Sequence, residues 1–199
     1  MGLPATLNTR ELKPTPEAEG LYRRWLAHLN EQFTLHPSPD RRAEVVRDEL
    51  YQIYLGQPRG ARANAGLTTE MAAGVLAESF DARNVTLQAE YSDSVDREKY
   101  APRKPLIWFW QMFDRSPLGL NLWLGVRFRC MLGQHIFKSI GKGVKIHPDV
   151  RFIYGYNLVI GDDCRIRRGA VLDDSGGELV IPESTIIEPG ITFPPAARS

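Results

Sequence analysis

The sequence predicts an α+β fold in which a mainly helical region precedes a short parallel β-helix of about three coils. Apolar residues recur at four-residue spacing in the first third of the chain, which is typical of amphipathic helices. From Ile140 onwards they recur at six-residue spacing instead. An ordinary sheet of short strands would show a period of two, so this regular six indicates a coiled stack of strands.

Composition excludes several classes of protein. The chain has 199 residues, of which 43% are hydrophobic and 25% charged, and these averages argue against disordered, collagen-like and fibrous proteins. A formal net charge of +1 gives no electrostatic case for a nucleic-acid partner. Two cysteines cannot form a disulfide framework. The sequence shows neither a secretory signal nor an apolar run long enough to span a bilayer, so we expect a cytoplasmic location.

Two helices with the same start signal are predicted first. Thr15 and Ser38 each stand before a proline, which puts a hydroxyl at the N-cap and proline at the first helical position. Gly56 offers a C-cap for the second helix. We interpret the pair as a helical hairpin.

The rest of the first domain is predicted to be mixed. Thr68 or Thr69 can cap a short alanine-rich helix that runs to about Phe80. Residues 85–91 alternate weakly between apolar and polar, which predicts one strand. Residues 92–104 form a charged linker. These elements together predict a mainly helical domain over residues 1–104.

Residues 105–139 form a predicted aromatic-rich connecting helix. Three of the four tryptophans fall in this stretch. One interpretation is a core helix that docks on the next domain. The other is a helix that lies on a membrane or a partner through residues 106–132, with Arg127, Arg129 and Lys138 facing outwards, which would make the protein membrane-peripheral.

The six-residue period defines a third domain over residues 140–199. The intervals between successive apolar anchors are 6, 6, 8, 6, 6, 9, 6 and 6. Three six-residue sides make one triangular coil, and insertions of two and three residues at the same corner leave the stacking intact. The anchors are Ile140, Ile146, Phe152, Ile160, Ile166, Leu172, Ile181, Ile187 and Phe193.

Four segments carry a resemblance to a known family. They are Ile140-Gly-Lys-Gly-Val-Lys-Ile146, Tyr154-Gly-Tyr-Asn157, Ile160-Gly-Asp-Asp163 and Val171-Leu-Asp-Asp174. Over about residues 118–193 the chain resembles the hexapeptide-repeat acyltransferases, particularly the maltose and galactoside O-acetyltransferase branch. The resemblance implies a left-handed parallel β-helix, a homotrimer, and acetyl-CoA or another acyl-CoA bound between adjacent prisms. It also implies acyl transfer to a small-molecule or glycan acceptor.

The resemblance also suggests where an acceptor would bind. It places acceptor-contacting acids at Asp173 and Asp174, beside Tyr154 and Asn157. An aspartate can orient an acceptor hydroxyl, but an Asp-Asp-Ser-Gly sequence is also ordinary turn chemistry. Both interpretations stay open at this point.

No catalytic residue is assigned. The family's catalytic histidine would follow Phe193 by a few residues, where the sequence reads Pro194 to Ser199 and offers Arg198, which cannot act as a base at neutral pH. Of the four histidines, His135 is expected to seat the connecting helix and His147 to face solvent. No metal is expected, because the similar γ-class carbonic anhydrases need three zinc-binding histidines and residues 140–199 hold one.

Besides a peripheral membrane protein that uses the tryptophan-rich stretch, two functions remain. The first is an acyltransferase, expected to act on a carbohydrate-like acceptor and to be the front part of a longer enzyme or an inactive chain. The alternative is a non-catalytic β-helix scaffold that oligomerises and presents the helical domain to a partner.

Overall fold

The computed structural model of the chain describes residues 13–56 and 71–193. Within these ranges, helices come first and short strands follow. The helices are α1 (Pro16–Leu35), α2 (Pro39–Leu55), α3 (Met71–Ser79), α4 (Arg97–Tyr100), α5 (Lys104–Arg115) and α6 (Leu122–Ile136). Short 3-10 turns occupy Ala82–Asn84, Gln88–Tyr91 and Pro117–Leu120.

The caps of the first two helices confirm the predicted start signals. The hydroxyls of Thr15 and Ser38 each accept a hydrogen bond from a backbone N–H of the first turn, at 3.3 and 3.4 Å. Helix α2 ends at Gly56 in the left-handed conformation, with φ of 64°, which glycine adopts without steric cost. Thr68 and Thr69, the predicted caps of α3, lie outside the described residues.

Helices α1 and α2 pack chiefly against later helices rather than against each other. Helix α1 lies on α6, and α2 lies on α5. Between α1 and α2, the Trp25 indole Nε1 donates to Glu49 Oε2 at 2.9 Å. The Arg42 guanidinium also donates to the carbonyl of Phe33 at 3.1 Å. The two helices of the predicted hairpin therefore pack on different later helices, α1 on α6 and α2 on α5.

The predicted strand at residues 85–91 is wrong. Its second half is the 3-10 turn Gln88–Tyr91. The Glu90 carboxylate accepts a hydrogen bond from the Leu87 backbone N–H at 2.7 Å, which closes this turn locally and occupies an N–H that a strand would use for pairing. The weak alternation reflects the burial of Leu87 and Ala89 on one side.

The β-helix confirms the predicted fold. All strand pairs are parallel, and they form three sheets in the orders β1-β4-β7, β2-β5-β8 and β3-β6-β9. Ile146 pairs with Ile166, 20 positions on, and Ile166 pairs with Ile187, 21 positions on. The strands are β1 (Ser139–Ile140), β2 (Lys145–Ile146), β3 (Arg151–Phe152), β4 (Leu158–Ile160), β5 (Arg165–Ile166), β6 (Val171–Leu172), β7 (Leu179–Ile181), β8 (Ile186–Ile187) and β9 (Thr192–Phe193).

The predicted anchors align as three vertical stacks, one per sheet. Ile146, Ile166 and Ile187, which form the stack of the second sheet, are completely buried. Cys164 and Ala170, four positions after an anchor, are also completely buried, because the corners of a narrow prism admit only small side chains. The left hand of the coil stays a prediction.

The aromatic connecting stretch covers the first coil. Helix α6 lies against β1 and β2, and the Cys130 thiol donates to the Val144 carbonyl at 3.1 Å. The rings of Trp110 and Phe137 pack edge-on against Phe152, with centroids 5.3 and 5.1 Å away. The structure thus shows the intramolecular docking that one interpretation predicted.

Contact of this stretch with a membrane stays a prediction, but the outward orientation predicted for Arg129 is wrong, because its side chain is completely buried and paired with Asp114. Most of its apolar side chains are buried, whereas Leu120 and Leu122 are exposed. In the described part of the chain, no helix combines the length and the apolar character needed to cross a membrane.

Candidate functional site

All four predicted acceptor-site residues lie at one corner of the β-helix. We call it the inserted corner: residues 153–157, between β3 and β4, and residues 173–178, between β6 and β7. The extra residues, which lie between the first and second coils and between the second and third, fall here as the spacing predicted. The structure therefore brings Tyr154, Asn157, Asp173 and Asp174 to one place.

Asp174 ties the two levels of this corner together. Its side chain is completely buried, and Oδ1 accepts hydrogen bonds from the backbone N–H groups of Ile153 and Tyr154 at 3.1 and 2.8 Å. The Asn157 amide donates to the Asp174 carbonyl oxygen at 2.9 Å. Burial raises the pKa of Asp174, and these N–H groups act in the opposite direction. Within residues 13–56 and 71–193, Asp174 Oδ2 has no hydrogen-bond partner.

Asp173 has a local role. It is half-buried, and its Oδ1 accepts hydrogen bonds from the Ser175 backbone N–H at 3.0 Å and from the Ser175 hydroxyl at 2.5 Å. Such bonds two residues along the chain are those of an Asx turn. The geometry at Asp173 therefore matches the turn-chemistry interpretation.

Residues 92–96 dock on the inserted corner. Tyr154 and Tyr156 stack with ring centroids 5.2 Å apart. The Tyr154 hydroxyl hydrogen bonds to the hydroxyls of Ser92 and Ser94 at 2.7 and 2.8 Å, and the Tyr156 hydroxyl accepts from the Asp96 N–H at 2.9 Å. This segment was predicted only as a linker, so sequence reasoning missed a contact that closes the corner.

The two histidines near the β-helix lack the geometry of a general base. His135 Nε2 hydrogen bonds to Asn30 Oδ1 at 2.9 Å, which seats α6 on α1 as expected, and burial lowers the pKa of His135 to about 4. His147 is half-buried rather than solvent-facing, and burial followed by Arg167 lowers its pKa. Among the described residues, neither ring bonds to a carboxylate that would orient it.

A cleft of about 730 Å³ lies beside this corner. We call it the interdomain cleft. One wall is formed by β3 and β6 of the β-helix, and the other by α5 and residues 85–89. Ile153, whose N–H binds Asp174, also lines the cleft. No sequence pattern predicts this cleft, because its walls come from segments far apart in the chain.

An ion-pair network joins the two walls. Arg129 is completely buried and pairs with Asp114, with Nε 2.8 Å from Oδ1. Asp114 Oδ2 accepts the Asp149 N–H at 3.0 Å, and the Asp149 carboxylate accepts from Arg168 Nε at 2.7 Å. Burial raises the pKa of Asp114, and Arg129 acts against that shift. The network therefore fixes α5 and α6 to the corner between β2 and β3, which contains Asp149.

The geometry defines a helical region joined to a three-coil parallel β-helix, with a closed polar corner and an open cleft beside it. No protein-family model, curated protein or solved structure matches this chain. Across residues 13–56 and 71–193, no group of three or more His, Cys, Asp or Glu side chains is placed to hold a metal ion.

Proposed function

We propose that the chain is a CoA-dependent acyltransferase that transfers an acetyl group to a hydroxyl of a carbohydrate-like acceptor. One observation carries this proposal. The β-helix takes up its extra residues at a single corner, and that corner bears the Tyr-Gly-Tyr-Asn and Asp-Asp segments which resemble the maltose and galactoside O-acetyltransferases. The proposal includes a homotrimer, as the resemblance implies.

The reaction sets the requirements for the site. The acceptor oxygen attacks the thioester carbonyl carbon while a base takes its proton, and a backbone N–H stabilises the oxyanion. The carbon–sulfur bond then breaks and CoA leaves as the thiol. In this proposal Asp174 is a positioning residue, since Oδ1 fixes the backbone of Ile153 and Tyr154. We assign the base to none of the described histidines.

The test measures acyl transfer directly. The full chain is incubated with acetyl-CoA and a panel of sugars, and release of the CoA thiol is followed with a thiol reagent. We expect sugar-dependent release that falls in Asp174→Asn and is unchanged in Tyr91→Phe, a control whose side chain is 82% exposed. A protein that neither binds acetyl-CoA nor releases thiol contradicts the proposal.

A specific observation favours a second candidate, the oligomerising scaffold. Val180, Ile186 and Ile191 of the third coil are exposed. At the outward position of the second sheet, Ile186 follows Lys145 and Arg165 in the stack, so the outer face changes from basic to apolar along the prism. Exposed apolar side chains on a regular surface suit self-association.

Mass measurement in solution tests the scaffold. We expect a trimer for the unmodified chain and a shift towards monomer for Ile186→Arg, which restores the charge found in the two preceding coils. Glu183→Gln, an exposed corner substitution that raises the net charge by the same one unit, serves as the control for added charge. A trimer without acyl transfer supports the scaffold, whereas a monomeric chain contradicts it.

A further inference from the structure

The interdomain cleft has the size and lining of a small-molecule site. Its volume of about 730 Å³ falls within the range of about 300–1,000 Å³ that is usual for ligand pockets. Apolar side chains from both walls line it, among them Leu87 and Ile107 on the helical side and Val171 on the β-helix. A ligand that fills this space therefore needs an apolar body.

Two buried polar groups of the lining have no partner among the described residues. Tyr100 and Trp110 both line the cleft, and their side chains are 4% and 2% exposed. The Tyr100 hydroxyl and the Trp110 indole Nε1 have no hydrogen-bond partner in the part of the chain that the structure describes. Buried polar groups are nearly always paired in native proteins. Both atoms have almost no solvent-accessible surface, so a ligand pairs with them only if the side chains that cover them shift. Because an indole N–H can only donate, such a ligand must carry an acceptor.

The lining also carries uncompensated positive charge. Asp114 and Asp149 line the cleft, but each is already paired with an arginine outside the lining, Arg129 and Arg168 respectively. The two lining arginines, Arg115 and Arg151, form no ion pair within residues 13–56 and 71–193; the structure gives the Arg115 guanidinium one bond, to the Gln111 carbonyl. A guanidinium without a carboxylate is suited to an oxyanion ligand.

We propose that the interdomain cleft binds a small carboxylate with an apolar body. The carboxylate pairs with Arg115 and Arg151 and offers acceptors to the unpaired donors, while the apolar body contacts Ile107 and Val171. This inference goes beyond acyl transfer and does not depend on it, because Arg115, Arg151, Ile107 and Val171 all lie outside the inserted corner and their contacts do not involve acyl-CoA.

The test compares two probes that differ only in charge. The full chain is titrated calorimetrically with 4-phenylbutyrate and with 4-phenylbutan-1-ol, and the indole N–H signals of the four tryptophans are followed by ¹⁵N NMR. We expect phenylbutyrate to bind about tenfold or more tightly than the alcohol, since hydrogen bonds to charged groups are the stronger ones. We also expect it to shift the Trp110 signal, which Trp110→Phe identifies.

Exposed arginines provide a matched pair of variants. Arg151→Gln should weaken phenylbutyrate binding about tenfold and leave the alcohol unaffected. Arg165→Gln changes an equally exposed outward arginine of β5 that does not line the cleft, and it should leave both affinities unchanged. Because both side chains are exposed, both variants are expected to fold. Equal affinity for the two probes, no binding of either, or equal effects of the two variants would overturn the proposal.

Discussion

The inserted corner and the interdomain cleft are neighbours that differ in how their buried polar groups are used. In the corner, Asp174 Oδ1 and the Tyr154 hydroxyl each bond to two groups and hold the chain together, although Asp174 Oδ2 has no partner among the described residues. In the cleft, Tyr100 and Trp110 keep polar atoms that no described group satisfies. A motif rich in polar residues can therefore be structural, while a ligand site can lie in a region that has fewer polar groups but leaves some of them unpaired.

The largest loss of stability is expected when Asp114, which lines the cleft, loses the arginine that neutralises its charge. Arg129→Met leaves the Asp114 carboxylate without its buried partner, and we expect a loss of about 3–5 kcal/mol in the free energy of unfolding. The double variant Arg129→Met/Asp114→Leu should recover most of that loss, because the uncompensated charge is gone. Urea denaturation measures both. A single variant that loses under about 1 kcal/mol would show that Asp114 is not held by Arg129.

The next effect concerns the paired groups of the corner. Asp174→Ala leaves the buried N–H groups of Ile153 and Tyr154 without an acceptor, and we expect a loss of about 2–4 kcal/mol. Asp173→Ala is the control, because Asp173 bonds only within its own turn, and should cost under about 1 kcal/mol. Chemical denaturation distinguishes them, and equal losses would contradict a special role for Asp174.

A matched pair of tyrosines compares the two regions directly. Tyr154→Phe removes a hydroxyl bonded to two serines and should cost about 1 kcal/mol. Tyr100→Phe removes a buried hydroxyl without a described partner, so the expected change is about 0 kcal/mol or a slight stabilisation. Hydrogen exchange should also show faster opening of residues 92–96 in Tyr154→Phe only. A reversed order of the two losses would refute the comparison.

The smallest effect is the pH dependence that Asp174 contributes. The pKa of Asp174 in the folded chain is raised above its ordinary value of 3.8, mainly by burial, so the folded chain holds this proton to higher pH than the unfolded chain does. The associated stability is present below pH 3.8 and is lost as the pH rises through the raised pKa. The stability of the unmodified chain relative to Asp174→Asn should therefore fall as pH rises from the acid side, which thermal melts at several pH values measure. A rise in that difference would contradict it.

The fold of the β-helix could be predicted from the sequence because the pattern that specifies it is local. Each anchor, such as Ile166, repeats a requirement for an apolar side chain facing inwards, and the extra residues fall where the coils permit them. The caps at Thr15 and Ser38 were readable for the same reason, since a cap depends on its immediate neighbours.

Only part of the candidate site could be predicted from the sequence. The grouping of Tyr154 with Asp174 follows from the coil length, but the docking of Ser92 on Tyr154 joins residues 62 positions apart. The strand predicted near Leu87 failed because Glu90 closes a local turn there. The cleft exists only because α5 packs against a β-helix wall, and no pattern along the chain records such a packing.

Helical regions usually have contacts closer in sequence than β-sheets do. The β-helix of this protein reverses that order. Each strand pairs with residues 20 or 21 positions away, whereas the helical region is held by contacts such as Tyr54 to Met112, 58 positions apart, and His135 to Asn30, 105 positions apart. Loop-closure entropy makes short-range pairings faster to form. The topology therefore favours a folding order in which coils grow one upon another while the helices assemble around them late.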